Sequence, residues 1–559
     1  MHKKICILLL LLAGMLPAAF ASPPDSTLVE HLKEHIYYLA SDKLSGRNTG
    51  SKGEKRSYAY ISEQYKKMGL LPKGESGFLQ PFNFTYGKKM SGKNQLMLNG
   101  EVLQLDEDFY PLNFSANGKV KGKIVDVGFG IVAPSIGYDS YQNLSNLKGN
   151  IYLIECSTPE GDSPHSKYSP FADIKTRIQH AKSKGAIAVI FTNTTQDAED
   201  LKANLEMNSA TEEIPVIFLK ASTLKKYRQD EFNTASITTN LEKISLTGHN
   251  IAAFIDNGAP LTVVIGAHYD HLGYGEYGNS LYRGEPGIHN GADDNASGTA
   301  AVVELARYFK NNGIKENNNY LFLNFSGEEL GLIGSKYWLE HATIDTSKIN
   351  FMVNMDMIGR YDPDKGMEIS GLGTSPEAFN FIRAISYDGL KFKQGESGTG
   401  PTDHASFYYA NIPVLNFFTG THEDYHKPSD DADKINYTAE ASIIQLIESI
   451  VIQLDDNGQL PFVRTKETDL SNVPRFKVRL GIIPDYLFDG TGLRVDGVDN
   501  GKPAALAGIK KGDIIVAIGD FIISDIMAYM KALAAFKSGD TTTIVVKRGD
   551  MNVEMQATF

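Results

Sequence analysis

Five short stretches of this chain hold residue types that bind metal ions and move protons. They are Gly266-Ala267-His268-Tyr269-Asp270-His271, the run from Asn290 to Gly298 that contains Asp293-Asp294, Gly327-Glu328-Glu329-Leu330-Gly331, Asn354-Met355-Asp356-Met357, and Tyr425-His426-Lys427-Pro428-Ser429-Asp430. Imidazole nitrogens and carboxylate oxygens are ligands zinc accepts, and a catalytic zinc keeps one position open. Two histidines, one bridging aspartate and two further carboxylates make two matched sets of ligands. A shared carboxylate is how two-metal hydrolases hold their ions about 3.5–4 Å apart. Of the adjacent pair Glu328 and Glu329, one can ligate while the other faces a water as general base. Asp270, two residues after His268, is placed to accept the imidazole N–H and fix its tautomer. Cysteine chemistry is excluded: the chain has two cysteines, Cys6 in an apolar leader and Cys156 by itself, so neither a thiolate metal site nor an intrachain disulfide is expected.

These residues need elements that bring them together. Apolar runs at 261–265, 320–325, 351–355 and 414–418 read as buried strands. Helical patterns fall between and around them at 296–309, 334–341, 375–386 and 405–409. Strands alternating with helices predict an α/β core with a mixed, largely parallel β-sheet covered by helices. His268 and Asp270 follow the first strand, Glu328 and Glu329 the second, Asp356 ends the third, and His426 lies in the loop after the fourth. Asp294 stands just before a helix. Ligands of open α/β sheets bind beyond the carboxyl ends of the strands, so the pattern predicts that these side chains converge.

At 559 residues the chain exceeds one ordinary core, and several domains are expected. Residues 1–21 carry Lys3 and Lys4, an apolar run, and Ala19-Phe20-Ala21, which reads as a cleaved export leader. The mature chain is therefore expected to be periplasmic or secreted, with no membrane span after cleavage. Two amphipathic helices at 26–40 and 54–68 flank a loop, Ser45-Gly46-Arg47-Asn48-Thr49-Gly50-Ser51. Residues 112–246 turn β-rich and read as an inserted accessory domain, so the core comprises 22–111 and 247–460. A polar linker spans 461–474, and 475–559 form a small α+β domain. The net charge of −12 argues against a nucleic-acid partner.

The five metal-site stretches, in this order over about 300 residues, resemble the M28 family of co-catalytic zinc aminopeptidases. The resemblance implies two zinc ions per chain, with Asp294 the bridge, Asp356 and His268 serving one ion, and Glu329 and His426 the other. It makes Glu328 the general base, and it implies a cis peptide bond after Asp294. Thr402-Asp403-His404-Ala405-Ser406-Phe407 matches a segment that lines the family's substrate pocket, so Asp403 and His404 are expected to be substrate-binding. The insert resembles the protease-associated (PA) domain, which sits beside peptidase sites. Residues 475–559 resemble a PDZ domain of the bacterial type, with Leu480-Gly481-Ile482 as the loop whose N–H groups hold a peptide carboxylate while the peptide adds a strand to the sheet.

The expected activity is removal of N-terminal residues from peptides by a water that the zinc pair activates. Alternatives on the same scaffold are glutaminyl cyclisation with a single zinc, or carboxypeptidase action. A different class is a peptide-binding protein without catalysis. His271, His289, His404 and His422 lie near the site in sequence, and each is expected to support the site rather than to ligate. Asp293 is expected to cap the following helix.

Overall fold

The computed structural model describes residues 25–559 except 162–166, 169–170, 196–199, 202–210, 228–233, 276–278, 283, 388, 466–477, 486–487, 489, 499–500, 525, 537–538 and 550. The leader at 1–21 and most of the linker lie outside the described residues.

The core is one nine-stranded sheet. Its main strands are β1 (Leu79–Met90), β2 (Leu241–Ile255), β3 (Leu261–His268), β4 (Asn318–Phe325), β5 (Ile349–Met355) and β6 (Val414–Phe418). They lie in the order β2-β4-β3-β5-β6, with β1 paired to β2. β4, β3, β5 and β6 are mutually parallel, while β2 runs antiparallel to β4. Every residue of β4 and β5 is buried, which is why these strands read as unbroken apolar runs rather than alternating ones.

Four helices matter for the site: α1 (Ser26–Leu39), α2 (Lys52–Lys67), α3 (Gly298–Asn311) and α4 (Tyr437–Leu454). Asp25 and Ser51 cap α1 and α2 by accepting the N–H groups of Thr27 and Glu54, as short polar side chains do at helix starts. On one face of the sheet Val263, Ile265, Phe322 and Val353 pack with Leu32, Ile36, Val302, Leu305, Ile443 and Ile447. On the other, Val264, Leu321, Leu323 and Met352 meet Trp338, Phe407 and Tyr408. Covered on both faces, the sheet presents its ligand-bearing residues only beyond the strand ends. The stretch at 375–386 departs from expectation: it holds only a 3-10 helix at Asn380–Ala384, because tight turns there bury Phe379 and Ile382 in the core.

α1 is fastened to α3 by one buried carboxylate. Glu304 lies 2.9 Å from His35 Nε2 and 3.0 Å from His31 Nδ1, and it accepts Arg307 Nε–H. Burial alone would raise this carboxyl, but His35, Arg307 and His31 together hold it down at about 2. With the folded value below the ordinary 4.5, the group stabilises the fold above pH 4.5 and loses that contribution as pH falls toward 2. Glu304→Gln is therefore expected to cost about 3 kcal/mol at neutral pH, with the gap to wild type closing through that window. Urea unfolding midpoints of both proteins across the acid range check this.

Residues between β1 and β2 form the insert, whose eight-stranded sheet runs from Gln95–Leu98 to Thr234–Thr239. It starts earlier than the sequence boundary at 112, because the strands at 95–98 and 109–111 pair within this sheet. The insert has its own apolar interior, including Phe109, Leu153, Ile190 and Ile217.

The last domain is a six-stranded sheet with a core of Leu480, Val495, Ile515, Ile518, Ile544 and Val546. A strand at Met551–Thr558 follows Thr541–Arg548. The domain touches the peptidase core where Thr421 Oγ1 donates to the Pro484 carbonyl at 2.7 Å and where Lys365 pairs with Asp496. Among the described residues, no helix is long and apolar enough to cross a membrane.

Candidate metal centre

The site begins where β3 ends. Thr299 Oγ1 donates to the His268 carbonyl, and Tyr269 N–H to the Phe325 carbonyl, so the end of β3 is tied to α3 and to the end of β4. The segment from Ala292 to Ser297 forms a single wide turn before α3, with a cis peptide between Asp294 and Asn295. Asn295 Nδ2 donates to the Met355 carbonyl, while its Oδ1 accepts Gly298 N–H and Met357 N–H. That side chain fixes the bridge-bearing turn against β5. Asp356 N–H donates to Phe417, which aligns the ends of β5 and β6.

Asp294 stands in the middle. Its Oδ1 lies 3.4 Å from His268 Nε2, and its Oδ2 lies 3.2 Å from His426 Nε2. On the first side, His268 Nε2 is 3.3 Å from Asp356 Oδ1 and 4.0 Å from Glu328 Oε2. On the second, Glu329 Oε2 is 3.4 Å from His426 Nε2, and Glu329 Oε1 is 2.8 Å from His271 Nδ1. Two groups have donor atoms close enough to surround one ion each: His268, Glu328 and Asp356, and His271, Asp294 and Glu329. All five residues expected to ligate therefore meet at one place, and His271 joins them.

The donor set suits a pair of dications. Burial would lower the His268 imidazolium, but Glu328 and Asp356 hold it well above the ordinary range. The same balance, with Glu329 and Asp294 opposing burial, puts His426 at about 9. Four carboxylates gather around the imidazoles of His268, His271 and His426, and cations bound among them would relieve the carboxylates' mutual repulsion. Glu328 is pushed well above the usual carboxyl range by burial and by Asp356, Glu329 and Asp403, against the pull of His268. Its side chain keeps 11% exposure, so it faces the opening.

Other expected residues fall as follows. The Asp270 carbonyl, 3.1 Å from His268 Nδ1, is nearer than its carboxylate at 3.7 Å. That carboxylate accepts Glu328 N–H and Thr49 Oγ1–H, so Asp270 links the base to the ligand. Asp403 and His404 are 0% and 1% exposed, buried as deeply as Asp270 and His268 at 0% and 1%. They start a six-residue helix whose Phe407 and Tyr408 are drawn into the core, and both lie within reach of the Asp356 charge. Asp293 does not cap α3: its oxygens accept Gly359 N–H and Ser297 Oγ–H and lie 3.1 Å from His422 Nε2. His289 Nε2 lies 2.7 Å from Ser280 Oγ. The 272–289 loop supports His426, since His426 Nδ1 is 2.9 Å from the Asn279 carbonyl and Leu281 N–H donates to His426 O. Tyr274 and Tyr282 on that loop are exposed, and Tyr277 lies outside the described residues. Pro484, next to the Leu480-Gly481-Ile482 loop, has no N–H, and its carbonyl accepts Thr421 Oγ1–H.

Two residues were not foreseen. Asp430 Oδ2 accepts the N–H groups of Asp293 and Asp294 and so positions the backbone of the bridge. Arg47, fully buried, donates to the carbonyls of Leu39, Tyr269, Asn290 and Gly291. It ties the N-terminal helix pair to both halves of the site. Gly46 beside it is in the left-handed region, and a Cβ there would lie 2.6 Å from the carbonyls of Gly273 and His289. An arginine between glycines in a short loop was the available signal. Arg47→Met is expected to destabilise the protein by about 3–5 kcal/mol, because it strands buried acceptors and removes a cation among carboxylates. Chemical unfolding with zinc content measured in parallel checks this.

Residues 250–451, which hold every ligand candidate, match Peptidase family M28. That region is an M28 peptidase domain. In this M28 peptidase, residues 106–227 match the PA domain and 462–558 the PDZ domain. Aminopeptidase YwaD of Bacillus subtilis is 26% identical to it over 413 residues, 71% of this chain and 78% of that protein. Leupeptin-inactivating enzyme 1 of Streptomyces exfoliatus is 30% identical over 213 residues, 37% of this chain and 44% of that protein. Among solved structures, an aminopeptidase from Aneurinibacillus sp. strain AM-1 aligns over 79% of the M28 peptidase and 97% of its own chain, with 24% identity and a TM-score of 0.45.

Proposed function

We propose that this M28 peptidase is an exported aminopeptidase that hydrolyses N-terminal residues from peptides at a two-zinc centre. The observation that carries this reading is the placement of Asp294, whose two oxygens face two separate donor sets. His268 and Asp356 would hold one zinc, Glu329 and His426 the other, and Asp294 both. When bound, the pair supplies Lewis acidity that polarises the scissile carbonyl and acidifies a water.

The chain's own residues supply the rest. Glu328 Oε2, at the edge of the His268 group, accepts the proton of the attacking water and returns it to the leaving amine. Asp270 keeps Glu328 in place through the Glu328 N–H. The names of the relatives, aminopeptidase among them, point to cleavage at the N-terminal end. A peptide C-terminus at Leu480-Gly481-Ile482 would be held through its carboxylate and by addition to the edge strand.

A mixed peptide library, incubated with and without a chelator and read by mass spectrometry, tests the activity. The expected result is stepwise loss of N-terminal residues that stops on chelation. Loss of C-terminal residues, or of water or ammonia from N-terminal glutamate or glutamine, would assign one of the other two chemistries.

A further inference from the structure

His271 stands three residues beyond the end of β3's ligand, and expectation gave it only a supporting role of no stated kind. Its ring lies beside Gly291, where a Cβ would come within 2.5 Å of Cδ2. Glycine at 291, itself in the left-handed region, therefore admits the ring to the site. Nδ1 lies 2.8 Å from Glu329 Oε1 and 3.8 Å from Asp294 Oδ2. These distances allow two roles, a third imidazole ligand or a hydrogen-bond donor to Glu329.

The far nitrogen of each ring separates the two. His268 and His426 both turn Nε2 toward carboxylates, and each has a carbonyl beside Nδ1: Asp270 at 3.1 Å and Asn279 at 2.9 Å. A ligating imidazole is held this way, its other N–H given to an acceptor. His271 Nε2 is buried and has no hydrogen-bond partner. If Nδ1 ligated, the proton would sit on Nε2 as a buried donor with no acceptor, which is costly. With the proton on Nδ1, the ring donates to Glu329 Oε1, and Nε2 carries only a lone pair. The Glu329 oxygens then divide the work: Oε1 faces His271, and Oε2 faces His426 Nε2 at 3.4 Å.

We propose that His271 is a positioning residue whose Nδ1–H holds Glu329 Oε1, so that Glu329 offers a metal one oxygen only and a coordination position beside it stays open. The proposal rests on the two-zinc reading. A ligating His271 would instead give that ion four protein donors, the closed arrangement of structural zinc sites.

Zinc absorption-edge fine structure of the wild-type protein tests this without any variant. One imidazole per zinc is expected. One and a half per zinc, three histidines over two ions, would overturn it. Competition with a chromophoric chelator adds the variants. H271A is expected to weaken one of the two zinc ions by about 10–100-fold, and H271N, whose amide can donate from the position of Nδ1, to restore most of the loss. Unchanged affinity in a folded H271A, or no rescue by a folded H271N, would also overturn it. Two zinc ions with a third imidazole defeats this proposal alone, whereas a chain that takes up no zinc defeats the two-zinc reading and this proposal with it.

Discussion

Glu328→Gln is expected to lower kcat on aminoacyl p-nitroanilides by about 10²–10⁴-fold, the range general acid–base catalysis supplies. KM and zinc content should stay near wild type. Glutamine keeps the shape of the side chain and the backbone N–H that donates to Asp270, but it cannot take a proton from water or give one to an amine. Glu328 also carries no hydrogen bond that the fold depends on in the way Arg47 or Glu304 does, so the melting temperature should move little. A variant that turned over at the wild-type rate with both zinc ions bound would remove Glu328 from the reaction.

The second large effect is at the bridge. Asp294→Ala takes one oxygen from each donor set at once. Losing a partner that merely orients a ligand costs about 10–100-fold in metal affinity, so losing the shared ligand should cost at least about 100-fold at both positions. Elemental analysis after dialysis should show both zinc ions falling together. Asp356→Ala, which strips only the His268 side, should release one. If Asp294→Ala lost a single zinc, the carboxylate would belong to one ion and the two-metal arrangement would have to be redrawn. Activity alone cannot separate these variants, since each abolishes turnover; stoichiometry does.

Much of this site is legible before any coordinates. His268, Glu328, Glu329 and Asp356 each stand at or just past the end of a parallel strand, and a parallel sheet gathers such ends along one edge. The local pattern thus carries long-range information. Arg47 was not legible as a site residue, because it reaches 269, 290 and 291 from a different part of the chain, and nothing local encodes those partners. The direction of the His271 ring is likewise a tertiary fact, set by the space over Gly291. Asp403 and His404 match a pocket-lining motif, but the motif alone does not tell that they stand at the start of a short helix whose Phe407 and Tyr408 lie in the core. α4 was not read from the sequence as a helix. Its buried residues include both members of the adjacent pairs Ile443-Ile444, Leu446-Ile447 and Ile450-Val451, which widens the apolar stripe beyond the usual amphipathic pattern.

The pairing of β1 with β2 has a consequence for how this architecture is assembled. Met90 and Leu241 are opposite one another at the end of the ladder, so residues 91–240 enter and leave the core through adjacent positions. In topological terms the whole accessory domain takes the place of a hairpin turn. No strand of the peptidase has to be rerouted to gain it, lose it or exchange it for another. A short turn such as Asn-Gly closes the same ladder, and the residues from His268 to His426 then keep their connections unchanged. The accessory domain is in this sense an exchangeable module, whose lineage need not be that of the catalytic sheet on which it stands.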